Sequence, residues 1–99
     1  MSFKDIHFIL VRPQLGENIG SVARALKNFN LSKLRIVNPR CEWPNQKAIA
    51  TSVGAKNILQ STKIYNSLDK SVGDLDFIFA TTSRIRNVNK KIISIFDIN

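Results

Sequence analysis

Negative charge is scarce in this chain. Seven Asp and Glu stand against 15 Lys and Arg in 99 residues, giving a formal net charge of +8 and a pI near 10.2. Such a balance favours a polyanionic partner, either nucleic acid or an anionic membrane face, while a merely basic proteome accounts for the same charge. Cysteine is reduced to Cys41, so no intrachain disulfide can form, which is compatible with a reducing compartment. With His7 as the one histidine, the chain cannot build a zinc site from Cys and His. No apolar run approaches the ~20 residues of a membrane span. The opening "MSFKDIHF" lacks the apolar block and small-residue cleavage site of a signal peptide, so a cytoplasmic protein is expected. The 4 glycines form neither G-x-G-x-x-G nor the Walker pattern, which excludes both standard nucleotide loops. Tryptophan occurs once. Trp43, in "CEWPN", has no second aromatic interleaved with basic residues, and it reads as a loop packing residue rather than a base-stacking platform.

What the chain does contain is ordinary globular material, 43% hydrophobic and 22% charged, without a repeat or a low-complexity tract. Its length allows one domain. "DIHFILVRP" predicts a strand over 6–11, nearly continuous in apolar residues as in a strand buried on both faces, and closed by Pro13. Ile19, Val22, Ala23, Leu26 and Phe29 then recur at spacings of three and four, one face of a helix, with Asn18 as the expected N-cap. A short strand is predicted over 34–37, weak helices over 46–51 and within "VGAKNILQS", a strand over 63–65, a helical turn capped by Ser67, and a strongly apolar strand over 77–80. Strands alternating with helices indicate an α/β protein with a parallel sheet. The final apolar run, "IISIF", is expected to need a packing partner.

Three features carry chemistry. In "LGENIGSVAR" a strand feeds a glycine turn that opens a helix, and a helix N-terminus offers free N–H groups and a positive dipole end to an anion. A plain capped surface helix accounts for the same pattern. Gly20 lowers helix propensity without filling the core, which suggests close approach by another backbone or by a ligand. The apolar spacing puts Arg24 on the opposite, polar face with Ser21 and Asn28. Between Asn18 and Cys41, Arg24, Lys27, Lys33, Arg35 and Arg40 occur without one acidic residue, which suits a phosphate-bearing partner. Finally, "ATTSRIR" places hydroxyls and basic residues at the C-terminal end of an apolar strand, the edge where open α/β sheets bind ligands. Ser and Thr are also common at ordinary strand exits.

Taken together, "ILVRPQLGENIGSVARALKNFNLSKLRIVNPR" resembles the first motif region of the SpoU-type RNA 2′-O-ribose methyltransferases of the SPOUT superfamily, in their tRNA/rRNA branch. The N-I-G-x-x-A-R core and the following L-x-I-V-N-P are far more specific than a lone glycine motif, and the resemblance spans nearly the whole chain. It implies a Rossmann-like parallel-sheet fold, S-adenosyl-L-methionine as methyl donor, and a ribose 2′-hydroxyl of tRNA or rRNA as acceptor. It further implies that Asn18 and Arg24 are the catalytic pair, and that Thr81, Thr82 and Ser83 help to hold the donor. Lys27, Arg35, Arg84 and Arg86 are the candidate RNA contacts, and no metal is called for. The family's G-x-E-x-x-G loop and its C-terminal S-L-N segment, which build the trefoil knot and the dimer contact, are not in these residues. Residues 1–99 are therefore expected to be the N-terminal portion of a methyltransferase domain, inactive alone, with a second chain supplying the missing motifs. The alternatives are a non-catalytic RNA-binding remnant and an unstable fragment of a split gene.

Overall fold

The computed structural model describes residues 6–75 together with the backbone of two short strands, Ile78–Ala80 and Ile92–Ser94. The first half is a β-α-β unit. Strand β1 (His7–Val11) leads into helix α1 (Gly16–Asn28), which returns to strand β2 (Lys33–Val37). Two short helices, α2 (Gln46–Ser52) and α3 (Lys56–Gln60), lead to β3 (Lys63–Tyr65), and α4 (Leu68–Val72) follows. The sheet order is β1-β2-β3, all parallel, with His7 opposite Lys33, Val11 opposite Val37 and Arg35 opposite Lys63. The strands over 78–80 and 92–94, β4 and β5, pair in parallel with each other, so the first three residues of the "IISIF" run have a backbone partner in "IFA". No helix among the described residues is long and apolar enough to cross a membrane.

Burial follows position in the sheet. β2 lies between its neighbours and buries Leu34, Arg35, Ile36 and Val37. A near-continuous buried run is what a central parallel strand shows. β1, at the edge of this three-stranded sheet, is instead only half covered, and Phe8 is 42% exposed. The double-sided burial expected of β1 belongs to β2. Because side chains alternate along a strand, Leu34 and Ile36 face one side, where they join Ile19, Ala23, Leu26, Ala48, Ala55, Ile58 and Leu59 in one core. The helices α1, α2 and α3 cover that side. α4 packs on the other, tied to the sheet by Arg35.

The two glycines that open α1 have a packing reason. A β-carbon at Gly20 would overlap Thr51 Oγ1 and the Ala48 carbonyl oxygen, and one at Gly16 would overlap the Asn45 side chain. The close approach inferred for Gly20 is therefore made by another element of the chain, α2, whose Thr51 Oγ1 donates to the Lys47 carbonyl at 2.8 Å and lies 3.2 Å from the Glu17 carbonyl across the crossing. This contact rotates the buried stripe of α1. It runs through Gly16, Ile19, Gly20, Ala23 and Leu26, while Val22 is half-buried and Phe29 is 74% exposed.

Candidate functional site

Helix α1 begins three residues earlier than its sequence suggests. Leu15 is the N-cap residue and makes no side-chain cap bond, and Asn18 is the third helical residue, its backbone N–H donating to the Leu15 carbonyl at 3.2 Å. The correction to the expected Asn18 cap has a physical cause: Gly16 and Glu17 can already be helical because Gly16 packs against Asn45 at the crossing with α2. Asn18 is left with an exposed side chain that makes no hydrogen bond among the described residues.

Arg24 is exposed, with no hydrogen bond or ion pair among the described residues. At ~100° per residue the rotated buried stripe places it about a quarter turn from the stripe's centre, on its shoulder rather than directly opposite. It is the ninth residue of α1, about 12 Å along the axis from Gly16 at ~1.5 Å per residue. Since α1 connects parallel strands it runs back from their C-terminal ends, so Arg24 lies well down the helix and not at the C-terminal edge of the sheet. Asn18 and Arg24 are about 9 Å apart along the axis and about 120° apart around it. They do not meet; they flank a stretch of helix surface that includes Ser21, whose hydroxyl is turned back to the Glu17 carbonyl at 2.9 Å.

The basic residues divide sharply. Lys27 is exposed, but its ammonium donates to the Gly54 carbonyl and fastens the end of α1 to the turn between α2 and α3. Arg35, expected as an RNA contact, is instead 6% exposed. Its guanidinium donates to Asp74 Oδ1 at 2.7 Å and Oδ2 at 2.8 Å, donates also to the Ser71 carbonyl, and lies 5.8 Å from the centre of the Tyr65 ring. The hydrogen-bonded guanidinium holds the Asp74 carboxyl well below the usual carboxylate range, and Asp74 in turn raises Arg35. Arg35 therefore fixes α4 and the turn after it to the sheet, and that corrects its expected place on the RNA surface. Position in a central strand decided this, and Asp74, thirty-nine residues away, could not be paired with it from spacing.

Two further arginines stand where the strands end: Arg12, not singled out by its sequence context, and Arg40, the last cation of the acid-free segment. Arg12 and Asn38, each just before a proline, close β1 and β2 with φ of 52° and 45°. The Arg12 N–H donates to the Val37 carbonyl at 2.7 Å, and the Arg40 N–H donates to the Pro13 carbonyl at 2.8 Å. These bonds join the two loops, and the side chains of Arg12 and Arg40 are exposed at the edge from which α1 starts. For Arg12 the sequence signal is the X-Pro step after an apolar run. Trp43 is half-buried against the core, as its lack of aromatic neighbours suggested. Thr81, Thr82, Ser83, Arg84 and Arg86 lie outside the described residues; β4 ends at Ala80, immediately before them.

Comparison with known proteins places these features in a family context. The SpoU rRNA Methylase family matches residues 5–98. The tRNA (cytidine-2′-O-)-methyltransferase TrmJ of Methanocaldococcus jannaschii is 43% identical over 77 residues, 78% of this chain and 33% of the relative. The tRNA (cytidine/uridine-2′-O-)-methyltransferase TrmJ of Pectobacterium atrosepticum is 36% identical over 84 residues, 85% of this chain and 34% of the relative. Among solved structures, TrmJ from Z. mobilis ZM4 superposes with a TM-score of 0.73 at 42% identity, covering 82% of this chain and 37% of that one. The chain thus spans about a third of the length of these curated relatives.

Proposed function

The chain belongs to the SpoU rRNA Methylase family, and on that premise we propose that it carries the acceptor side of an RNA ribose 2′-O-methyltransferase acting on tRNA or rRNA. The observation that carries the reading is Arg24: a cation in the N-I-G-x-x-A-R stretch, exposed on α1 and engaged by none of the described residues. An arginine that stabilised the fold would have a partner, as Arg35 has in Asp74.

Methyl transfer requires the ribose 2′-oxygen to become nucleophilic as it loses its proton. A guanidinium, protonated throughout the physiological range, is a poor proton acceptor and a good anion ligand. Arg24 accordingly orients the acceptor phosphate and stabilises the negative charge developing on the 2′-oxygen. Asn18 supplies an amide on the same exposed helix surface, about 9 Å further toward the N-terminus, where it can position the nucleotide.

S-adenosyl-L-methionine, when bound, supplies an electrophilic methyl group on a sulfonium. The chemistry of the donor set fits one wall of such a site: Thr81, Thr82 and Ser83 follow directly on β4, and strand-end hydroxyls and amides suit the donor's polar groups. One wall encloses too little of a ligand for tight binding. The 99 residues alone are therefore expected to bind S-adenosyl-L-methionine weakly and to turn over no substrate, activity appearing when a second segment supplies the rest of the pocket. Titration calorimetry with S-adenosyl-L-methionine and tritium transfer to bulk tRNA test this, with the chain alone and with the C-terminal part of a related methyltransferase added. Turnover by the lone chain would contradict the one-wall reading, and no transfer in any combination would contradict the assignment of activity.

A further inference from the structure

The parallel register gathers cations at the N-terminal ends of the strands. His7 is opposite Lys33 and Arg35 is opposite Lys63, so these four residues share one face of the sheet. They line a cleft of about 260 Å³ together with Ser32 and Ser61. No acidic residue is among its lining residues, and Arg35 is neutralised from beyond it by Asp74. Lys33 and Lys63 are exposed, and neither makes a hydrogen bond or ion pair among the described residues. Like charges placed side by side across strands are destabilising, so this arrangement does not serve the sheet itself. It also lies at the opposite end of the strands from Arg12 and Arg40, about 13 Å away at ~3.3 Å per residue.

We propose that this cleft, through Lys33 and Lys63 with the hydroxyl of Ser32, is a phosphate-binding site for the RNA backbone separate from Arg24, the Ser61 hydroxyl on its rim being turned to the Ile58 carbonyl at 3.2 Å. The inference rests on the reading of RNA as the substrate. Two ammonium groups and one free hydroxyl on a concave edge recognise phosphodiester oxygens without reading bases. A contact away from the chemistry anchors the RNA while Arg24 acts elsewhere.

The test is tRNA binding by the full 99-residue chain, followed by fluorescence anisotropy across salt concentrations, with circular dichroism to verify that each variant is folded. The Lys33→Ala/Lys63→Ala double variant is expected to bind roughly tenfold more weakly near 0.1 M salt. Its slope of log affinity against log salt should fall by about 1.4 to 1.8, the release expected of two phosphate contacts. Lys33→Arg/Lys63→Arg should restore both. Lys47→Ala/Lys56→Ala removes the same charge from exposed positions of α2 and α3 and should move the slope far less. An unchanged slope in the first double variant, or an equal change in the second, overturns the site and leaves the RNA reading standing. A folded wild-type chain with no affinity for tRNA overturns both.

Discussion

Arg35 and Arg24 are eleven residues apart in one acid-poor segment, and their surroundings give them opposite roles. Arg35 enters the central strand, where a guanidinium is tolerated only with its donors satisfied, and Asp74, Ser71 and the Tyr65 ring satisfy them. Asp74 itself is two-thirds exposed, at 67% for the side chain, so solvent screens the pair and its contribution is well below that of a buried one. Asp74→Asn is expected to cost about 1 to 2 kcal/mol at neutral pH, read from urea midpoints. The pH dependence has a definite sign. The folded-state Asp74 is held below the ordinary carboxylate range, so the stabilisation is complete above the unfolded value near ~4 and is lost as pH falls below it toward the folded one. The gap between wild type and Asp74→Asn should therefore close on acidification, and a gap that persisted or widened would show that Asp74 acts through packing instead.

At the scale of elements, the crossing of α1 and α2 sets where α1 starts and which face it buries. Gly20→Ala should destabilise the chain by about 1 to 3 kcal/mol in chemical denaturation, although alanine is the better helix former. The new β-carbon meets the Ala48 carbonyl, which is backbone and cannot rotate away. Gly73→Ala is the contrasting case. Its φ is −56° and an added β-carbon would find ordinary contacts at 3.7 and 3.8 Å, so it should be neutral or stabilising by up to about 1 kcal/mol. Equal effects at the two positions would contradict the packing account. Ser67→Ala removes the hydroxyl that accepts the Lys70 N–H at 3.2 Å and should cost about 1 kcal/mol in the same assay.

The same crossing shows how far the sequence could be read. Periodicity located β1, β2 and β3 to within one residue at each end, the C-terminal end of α1 equally well, and Ser67 as a cap, because these depend on local pattern and side-chain chemistry. It could not show that Phe29 falls off the buried stripe, or that Asn18 is inside the helix, because both follow from α2, which packs against α1 from more than twenty residues away. The candidate site was legible where a residue's exposure follows from its helix face, as for Arg24. It was misleading where strand position decides, as for Arg35, since strand order is not written in spacing.

For the whole molecule, the described residues form a three-stranded parallel sheet with one helix layer on each side, and the cations free of structural duty include some in separate places: Arg24 on α1, Arg12 and Arg40 at the C-terminal edge, Lys33 and Lys63 at the other. A large polyanion can touch more than one of these places, whereas a small ligand cannot. The central claim is that Arg24 serves the methyl-transfer step more than it serves binding. The direct test is Arg24→Ala in an enzyme reconstituted from this chain and a complementary C-terminal segment, with single-turnover transfer to tRNA and tRNA affinity measured on the same preparation. Loss of charge stabilisation at the 2′-oxygen should slow transfer by about 100-fold or more, ~3 kcal/mol in the barrier. One lost phosphate contact should weaken binding only a few-fold and lower the salt slope by about one. Binding and transfer falling by equal factors, or transfer left unchanged, would contradict the account.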